Sequence, residues 1–291
     1  MPTTPEDKWL DVAGLRLHSR DWGGLGRPVV LLHGLASTCR IWDFVAPILA
    51  EGCRVVALDQ RGHGESAKPD EGYDFASVVS DLRGFILGLG LEQPVVVGHS
   101  WGADVALEYA VAHPEGLRGL AFVDGGTIEI STRPGMSLEK AKEELAPPLF
   151  TEVTVDQLRE RIRSWPIGRP VTPELEEVRL SNFDLRDDGT VKARLSRENH
   201  MRIIEALWDH RPSLLYSRVT CPVLMLPARQ EGGDSEMARR FNKEASIAQA
   251  SKLLPIGKAV WLEDSIHDVP LQRPQLVAGV IGDHIRDGFF G

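Results

Sequence analysis

A short glycine-bracketed stretch near the middle of the chain limits the folds that this sequence can adopt. Residues 95–97 form an apolar, β-branched run typical of a buried parallel strand, and residues 103–112 form an alanine-rich run typical of a helix. Between them lies the sequence GHSWG at 98–102. A strand that becomes a helix so abruptly makes a sharp turn, in which glycines permit close backbone approach and the central residue projects outward. The residue at the tip of the predicted turn is Ser100.

The composition predicts a globular protein. Hydrophobic residues make up 42% of the 291 residues, which is enough for a substantial core. The formal charge of −9 argues against nucleic acid or an anionic membrane as a partner, and no apolar run is long enough to span a bilayer. The polar N-terminal residues lack the apolar region of a signal peptide, and three widely spaced cysteines suit a reducing compartment. We therefore expect a cytoplasmic protein that binds neither nucleic acid nor membrane.

Strand and helix patterns alternate through most of the chain. A hairpin pattern covers 8–12 and 15–20, and buried-strand patterns lie at 28–32, 54–58, 94–97, 117–123, 222–226 and 259–262. Helical patterns lie at 41–50, 75–89, 103–112, 235–254 and 274–286. This alternation predicts an α/β fold, in which a mostly parallel sheet of eight strands has helices on both faces.

One long segment interrupts the alternation. Residues 127–219 contain no convincing buried strand, although Asp-Asp-Gly-Thr at 187–190 predicts a turn. Amphipathic helical patterns lie there at 138–145, 155–165, 173–182 and 199–208. We therefore predict a core of residues 1–126 and 220–291, with residues 127–219 inserted after the sixth strand as a helical cap. Such inserts usually pack over the carboxyl ends of the strands, where open α/β sheets bind ligands.

Ser100 is a candidate nucleophile because of its predicted exposed position. A serine hydroxyl is almost fully protonated at neutral pH, so it needs a general base and a site for the developing oxyanion. His267 lies on the loop between the last predicted strand and the last predicted helix, where a base could reach the end of the sheet. The amide of Trp101 follows the nucleophile at a helix N-terminus, whose dipole favours negative charge. We therefore predict that His267 is the base and that Trp101 supplies one oxyanion donor.

Several motifs, in their order, resemble those of the α/β-hydrolase superfamily. The GHSWG motif resembles its nucleophile elbow, the HGL run at 33–35 resembles its oxyanion loop, and the DxRGxGxS run at 59–66 resembles another of its loops. His267 also stands where the superfamily places its base, after the serine in chain order. The resemblance implies an α/β-hydrolase fold with Ser100 as the nucleophile, and it implies that the amide of Leu35 is the second oxyanion donor.

Three residues are candidates for the acid that orients His267. In the superfamily the acid usually follows the strand after the cap, where Glu231 and Asp234 lie, but the surrounding sequence departs from the usual Gly-x-x-Asp setting. Some dehalogenases and lactone hydrolases instead carry the acid after the strand that follows the elbow helix. Asp124 occupies that position. We predict that Asp124 is the acid, with Glu231 as the first alternative and Asp234 as the second.

The nucleophile type narrows the chemistry. The GHSWG motif resembles the elbow of haloalkane dehalogenases and epoxide hydrolases, except that those enzymes have an aspartate in place of Ser100. A carboxylate that opens an epoxide or displaces a halide forms an ester, which water cleaves, whereas a serine would form an ether, which water does not cleave. The predicted cap also lacks the tyrosine pair that activates an epoxide, since Tyr216 is its single tyrosine.

We therefore predict a serine esterase or lactonase that hydrolyses a small or medium apolar ester or lactone through an acyl-enzyme, without a metal or an organic cofactor. Cleavage of a C–C bond and perhydrolysis at the same triad are alternatives, as is a non-catalytic ligand-binding protein. A helical cap can also support a homodimer, although nothing in the sequence requires one. Candidates for the lining of an acyl pocket are Trp42, Trp101, Phe150, Trp165, Ile167, Phe183 and Trp208.

Overall fold

A central sheet organises the structure. The computed structural model describes residues 4–230 and 242–291. Its strands are β1 (Glu6–Val12), β2 (Leu15–Gly23), β3 (Arg27–Leu32), β4 (Cys53–Leu58), β5 (Val95–His99), β6 (Gly119–Val123), β7 (Phe183–Leu185), β8 (Val191–Ala193), β9 (Val223–Leu226) and β10 (Gly257–Ala259). Eight of them form one sheet in the order β1-β2-β4-β3-β5-β6-β9-β10, while β7 and β8 form a separate ribbon. Strands β1, β2 and β4 pair antiparallel and all other neighbours in the large sheet pair parallel, so the predicted mostly parallel eight-stranded sheet is confirmed.

Helices connect the strands. In chain order they are α1 (Ala46–Leu49), α2 (Phe75–Gly88), α3 (Trp101–Ala112), α4 (Leu138–Glu144), α5 (Val155–Arg163), α6 (Pro173–Leu180), α7 (Arg197–Asp209), α8 (Pro212–Leu215), α9 (Lys243–Leu253), α10 (Val269–Gln272) and α11 (Pro274–Arg286). Several begin at side chains that accept a hydrogen bond from the first turn, as the Asp74 carboxylate does from the amide of Ser77. Among the described helices, none has both the length and the apolar character needed to cross a bilayer.

The sheet is buried on both faces. Alternate residues of β3 point to opposite sides, so Val30 and Leu32 pack with the layer that contains α2 and α3. Val29 and Leu31 pack with the layer that contains α1 and α11. These four side chains are fully buried, and each such burial stabilises the fold by about 1.5–3 kcal/mol. The helices on both faces leave the carboxyl ends of the parallel strands as the open edge where a site can form.

Residues 127–219, which follow β6, contain helices α4 to α8 and the β7–β8 ribbon. The ribbon was not expected from the sequence, because Asp184 and Leu185 in β7 are exposed and its strands lack a buried pattern. Residues 187–190 form the turn between its strands, as the sequence predicts. The division of the chain into a core and a cap at residues 126 and 219 remains a prediction.

The inserted segment contacts loops at the carboxyl ends of the central strands. The Ser181 hydroxyl lies 2.8 Å from the hydroxyl of Thr38, which follows β3. Arg194 donates a 3.3 Å hydrogen bond to the carbonyl of Gly64, which follows β4. These contacts come from separate parts of the segment, so it is joined to the carboxyl edge of the sheet at two points.

Candidate active site

The turn between β5 and α3 holds Ser100 in a strained conformation. Ser100 has φ 52° and ψ −127°, a region that residues with a Cβ rarely adopt. Neighbouring glycines permit this turn, because a Cβ on Gly98 would lie 2.3 Å from the amide nitrogen of Ala103. A Cβ on Gly102 would lie 2.5 Å from the carbonyl oxygen of His33. The tight packing of backbone around the turn therefore fixes where the Ser100 hydroxyl points.

Three of the predicted site residues lie in one hydrogen-bonded chain. His267 Nε2 lies 3.0 Å from Ser100 Oγ, and His267 Nδ1 lies 2.7 Å from Asp124 Oδ2. An ionised carboxylate can only accept, so in the neutral imidazole Nδ1–H donates to Asp124 and Nε2 accepts from the Ser100 hydroxyl. Glu231 and Asp234, the alternative acids, lie outside the described residues. The structure thus brings together the serine, the histidine and the first of the predicted acids.

Asp124 is held as a carboxylate. Burial alone would raise its pKa, but the hydrogen bond from His267 and the charges of His267 and Lys243 lower its pKa to about 2. Burial likewise lowers the pKa of His267, yet the hydrogen bond and charge of Asp124 outweigh burial, so the pKa of His267 is raised above its usual value. The imidazole is therefore a stronger base than a free histidine.

Asp124 has a second side-chain partner, the cationic Lys243, which sequence reasoning missed. Lys243, the first residue of α9, places its Nζ 2.7 Å from Asp124 Oδ1 and donates a 2.9 Å hydrogen bond to the carbonyl of Ala228. The amide of Ala228 also donates to Asp124 Oδ1 at 2.9 Å. The acid is thus held by partners on both oxygens. Lys243 is distant from Asp124 in sequence and belongs to no motif, so no sequence signal marks it.

His99, the last residue of β5, holds the loop that carries His267. Its Nε2–H donates a 2.8 Å hydrogen bond to the backbone carbonyl of His267. Burial lowers the pKa of His99 to about 4, so this imidazole is neutral at physiological pH. The end of β5 therefore positions both Ser100 and the backbone of His267.

The two predicted oxyanion donors lie beside Ser100. Trp101 is the first residue of α3, and Leu35 follows Gly34, where an added Cβ would lie 3.0 Å from Ser100 Cβ. Within residues 4–230 and 242–291, neither the Leu35 amide nor the Trp101 amide donates a hydrogen bond to a protein acceptor. Both amides are therefore available to a bound ligand, and their role as oxyanion donors stays a prediction.

A cavity of about 550 Å³ opens above Ser100 and His267. Of the predicted pocket residues, Phe150 and Phe183 line it, whereas the other five do not. Apart from His99, Ser100 and His267, its polar lining was not predicted and comprises Ser37, Thr38, Arg179, Asn182, Arg194, His200 and Asp268. The cavity therefore combines an aromatic wall with charged groups, which a sequence search for apolar residues does not detect.

The DxRGxGxS loop is structural. Asp59 Oδ2 lies 2.7 Å from His18 Nδ1, and Asp59 Oδ1 accepts a 2.6 Å hydrogen bond from the amide of Cys39. Although His18, Cys39 and Asp59 are close enough to share a metal ion, burial raises the pKa of the Cys39 thiol well above its usual value. His18 and Asp59 hydrogen-bond to each other, and Asp59 also accepts from the Cys39 amide, so protein groups already satisfy this cluster. Arg61 pairs with the buried carboxylate of Asp81.

Comparisons with known proteins agree with this architecture. The family model described as alpha/beta hydrolase fold matches residues 27–159. Epoxide hydrolase A of Mycobacterium tuberculosis is 37% identical over 121 residues, which are 40% of this chain and 38% of that protein. The 2-(acetamidomethylene)succinate hydrolase of Mesorhizobium japonicum is 25% identical over 279 residues, which are 95% of this chain and 94% of that protein. A crystal structure of E-2-(acetamidomethylene)succinate hydrolase superposes with a TM-score of 0.78 at 22% identity, covering 97% of this chain and 99% of that one.

The sheet order, the turn at Ser100 and the structural match define the α/β-hydrolase fold. The chain therefore has this fold, and its residues 27–159 match the family model of that fold. It spans 38% of the length of epoxide hydrolase A and 51% of the length of epoxide hydrolase B, so those likenesses concern only part of each relative.

Proposed function

We propose that the protein is a serine hydrolase that cleaves a carboxylic ester or lactone through an acyl-enzyme. The observation that carries this proposal is the continuous chain from Ser100 Oγ through His267 to Asp124, with distances of 3.0 and 2.7 Å. A serine within hydrogen-bond reach of a histidine, which a carboxylate in turn orients, is the arrangement required for nucleophilic attack on a carbonyl.

The reaction proceeds in two halves. Ser100 Oγ attacks the carbonyl carbon while His267 Nε2 takes its proton, and the amides of Leu35 and Trp101 bind the oxyanion. Collapse of the tetrahedral intermediate breaks the bond to the alcohol, which leaves with the proton from His267. Water then attacks the acyl-enzyme with His267 as the base, and the acid product is released as Ser100 regains its proton. Asp124 keeps the imidazole oriented and stabilises its protonated form in both halves.

A second candidate is hydrolysis of an acylated amine at the same triad. It is favoured by the match over nearly the whole chain to a protein whose name gives an acetamide-bearing succinate as its substrate. In that reaction His267 would protonate the leaving nitrogen rather than an alkoxide. Epoxide hydrolysis is not proposed, because attack by Ser100 would leave an ether that water does not cleave.

The nucleophile is tested with p-nitrophenyl acetate and p-nitrophenyl butyrate, together with a fluorophosphonate label. We expect Ser100→Ala to lower kcat by on the order of 10⁴-fold or more and to abolish labelling. Ser37→Ala is the matched control, since Ser37 lines the same cavity and should keep both properties. Equal turnover and labelling in Ser100→Ala would overturn the proposal, and saturable ligand binding without labelling or turnover would favour a binding protein.

A further inference from the structure

Arg179 brings a positive charge with no hydrogen-bonded protein partner into the cavity above Ser100. It lies on α6 and lines that cavity. In the described part of the chain, no hydrogen bond from its guanidinium to another residue is present, and its nearest carboxylate is Asp268 at 3.7 Å. A guanidinium carries five N–H donors in a planar fork that matches a carboxylate. The donors of Arg179 are therefore free for a ligand.

The structure holds this guanidinium in place without using its donors. Its Cζ lies 4.2 Å from the centroid of the Trp165 ring, a cation–π contact that restrains the guanidinium. Helix α6 is itself anchored, because Glu176 accepts a 2.6 Å hydrogen bond from Arg163 and pairs with Arg159. The entropy lost when Arg179 binds a ligand is thereby reduced.

Arg194, the other arginine of the cavity, differs in its surroundings. It pairs with Glu65 and lies 3.4 Å from Asp184, so two carboxylates neutralise its charge. It also donates hydrogen bonds of 3.3 Å to the carbonyls of Gly64 and Phe183. Its donors are already committed to protein oxygens, so Arg194 serves the structure of the cavity wall.

The position of Arg179 relates it to the reacting groups. Asp268, its neighbour at 3.7 Å, directly follows His267, whose Nε2 lies 3.0 Å from Ser100 Oγ. Consecutive Cα atoms are about 3.8 Å apart, so Arg179 faces the part of the cavity next to the base. A substrate carboxylate a few bonds from the scissile carbonyl could therefore bind to Arg179, at the position that the Asp268 carboxylate lies near in this structure.

We propose that the substrate carries a carboxylate and that Arg179 binds it through paired hydrogen bonds. This inference rests on the proposed hydrolase function and names its substrate class as acyl compounds with a second, free carboxylate. Asp268 then competes with the substrate for the guanidinium, while Arg194 contributes no direct contact.

Two esters of similar length separate charge recognition from general activity. Mono-p-nitrophenyl succinate is anionic and p-nitrophenyl butyrate is neutral, and the measured quantity is the ratio of their kcat/KM values. We expect Arg179→Gln to lower this ratio by on the order of tenfold or more, because a charge-assisted pair is lost. Arg194→Gln removes the same charge from the same cavity and should change the ratio much less, and Asp268→Asn should raise it. Comparing the two esters within each variant cancels any effect on His267.

Two results would overturn the proposal. A ratio that Arg179→Gln leaves unchanged would show that the Arg179–Asp268 pair only closes the cavity. In that case Arg179→Gln and Asp268→Asn should each affect the two esters alike.

A binding measurement separates this failure from failure of the hydrolase proposal. Calorimetric titration of Ser100→Ala with mono-p-nitrophenyl succinate should detect binding that Ser100→Ala/Arg179→Gln loses, whether or not the wild-type protein hydrolyses the ester. Equal binding by both proteins, with unchanged thermal unfolding, would contradict the role of Arg179.

Discussion

Lys243 Nζ lies 2.7 Å from Asp124 Oδ1, while His267 Nδ1 lies 2.7 Å from the other oxygen of the same carboxylate. The acid therefore has the imidazole of His267 on one oxygen and the ammonium of Lys243 on the other. Burial lowers the pKa of His267, and Asp124 raises that pKa by more than burial lowers it. The charge of Lys243 opposes Asp124 and lowers the pKa of His267. In this arrangement Lys243 limits how basic the histidine becomes, so it is a positioning residue whose effect should appear in the pH dependence of the reaction.

Removal of Lys243 should move the acid limb of the pH profile. Without that charge the imidazolium is better stabilised, so the pKa of His267 rises and the neutral base forms only at higher pH. We expect the acid limb of kcat/KM for Lys243→Met to shift to higher pH, whereas Lys243→Arg, which keeps the charge, should stay near the wild type. An acid limb at the wild-type position or lower would contradict this role.

The assignment of the acid can be tested by ranking two variants. Asp124→Asn keeps the shape of the side chain but removes the acceptor that fixes Nδ1–H, so we expect kcat to fall by on the order of 10⁴-fold. Glu231→Gln should change kcat much less, although Glu231 lies outside the described residues. Steady-state kinetics on p-nitrophenyl butyrate give both values. The reverse ranking would place the acid after β9 instead of after β6.

Local pattern was sufficient to predict much of the fold and part of the site. The β5–turn–α3 unit follows from a valine run, two glycines and an alanine-rich run. Its structure therefore depends on residues that are close in sequence. The helical patterns after residue 127 also correspond to α4 to α7. The last strand lies earlier than predicted, at Gly257–Ala259, and shares only Ala259 with the predicted run 259–262, of which Leu262 pairs with Ala228 as an isolated bridge.

The remaining features depend on contacts between distant parts of the chain. The sequence ranked Asp124 ahead of Glu231 and Asp234 only by its position after a strand, whereas the hydrogen bond between Asp124 and His267 joins residues that are far apart in the chain. Lys243 and Arg179 belong to no motif. Each is far in sequence from the site residues that it faces in the folded protein. Single-sequence reasoning has no access to such long-range pairs.

A buried histidine between the inserted segment and α3 should make stability depend on pH. His210 lies 2.8 Å from Glu108 and 3.2 Å from Asp104, and its ring stacks on Phe75. Burial lowers the pKa of His210, but the two carboxylates outweigh burial and raise it to about 9. The folded state thus holds a proton that the unfolded state releases near pH 6.5, and the resulting stabilisation is on the order of 3 kcal/mol.

This stabilisation should be complete below about pH 6.5 and disappear as the pH rises through about 9. Urea unfolding of the wild type and His210→Asn at several pH values measures it. The difference in the free energy of unfolding should be largest at low pH and shrink towards pH 9. His113→Asn, at the end of α3 beside Arg83, is the control and should show no such decline. A difference that does not vary with pH would contradict the charge pairing.

The glycines of the turn at Ser100 should be indispensable for a steric reason. A Cβ on Gly102 would lie 2.5 Å from the carbonyl oxygen of His33 and 2.7 Å from that of Leu32, and backbone at the end of β3 cannot move without breaking the sheet. We expect Gly102→Ala to lower the free energy of unfolding by about 3 kcal/mol or to prevent folding.

Gly279→Ala is the matched control, because Gly279 lies inside α11 with no heavy atom near the position of the new Cβ. Since alanine favours a helix over glycine by about 1 kcal/mol, that variant should be as stable as the wild type or more so in urea unfolding. Equal effects of the two substitutions would show that close packing around Ser100 does not constrain the turn.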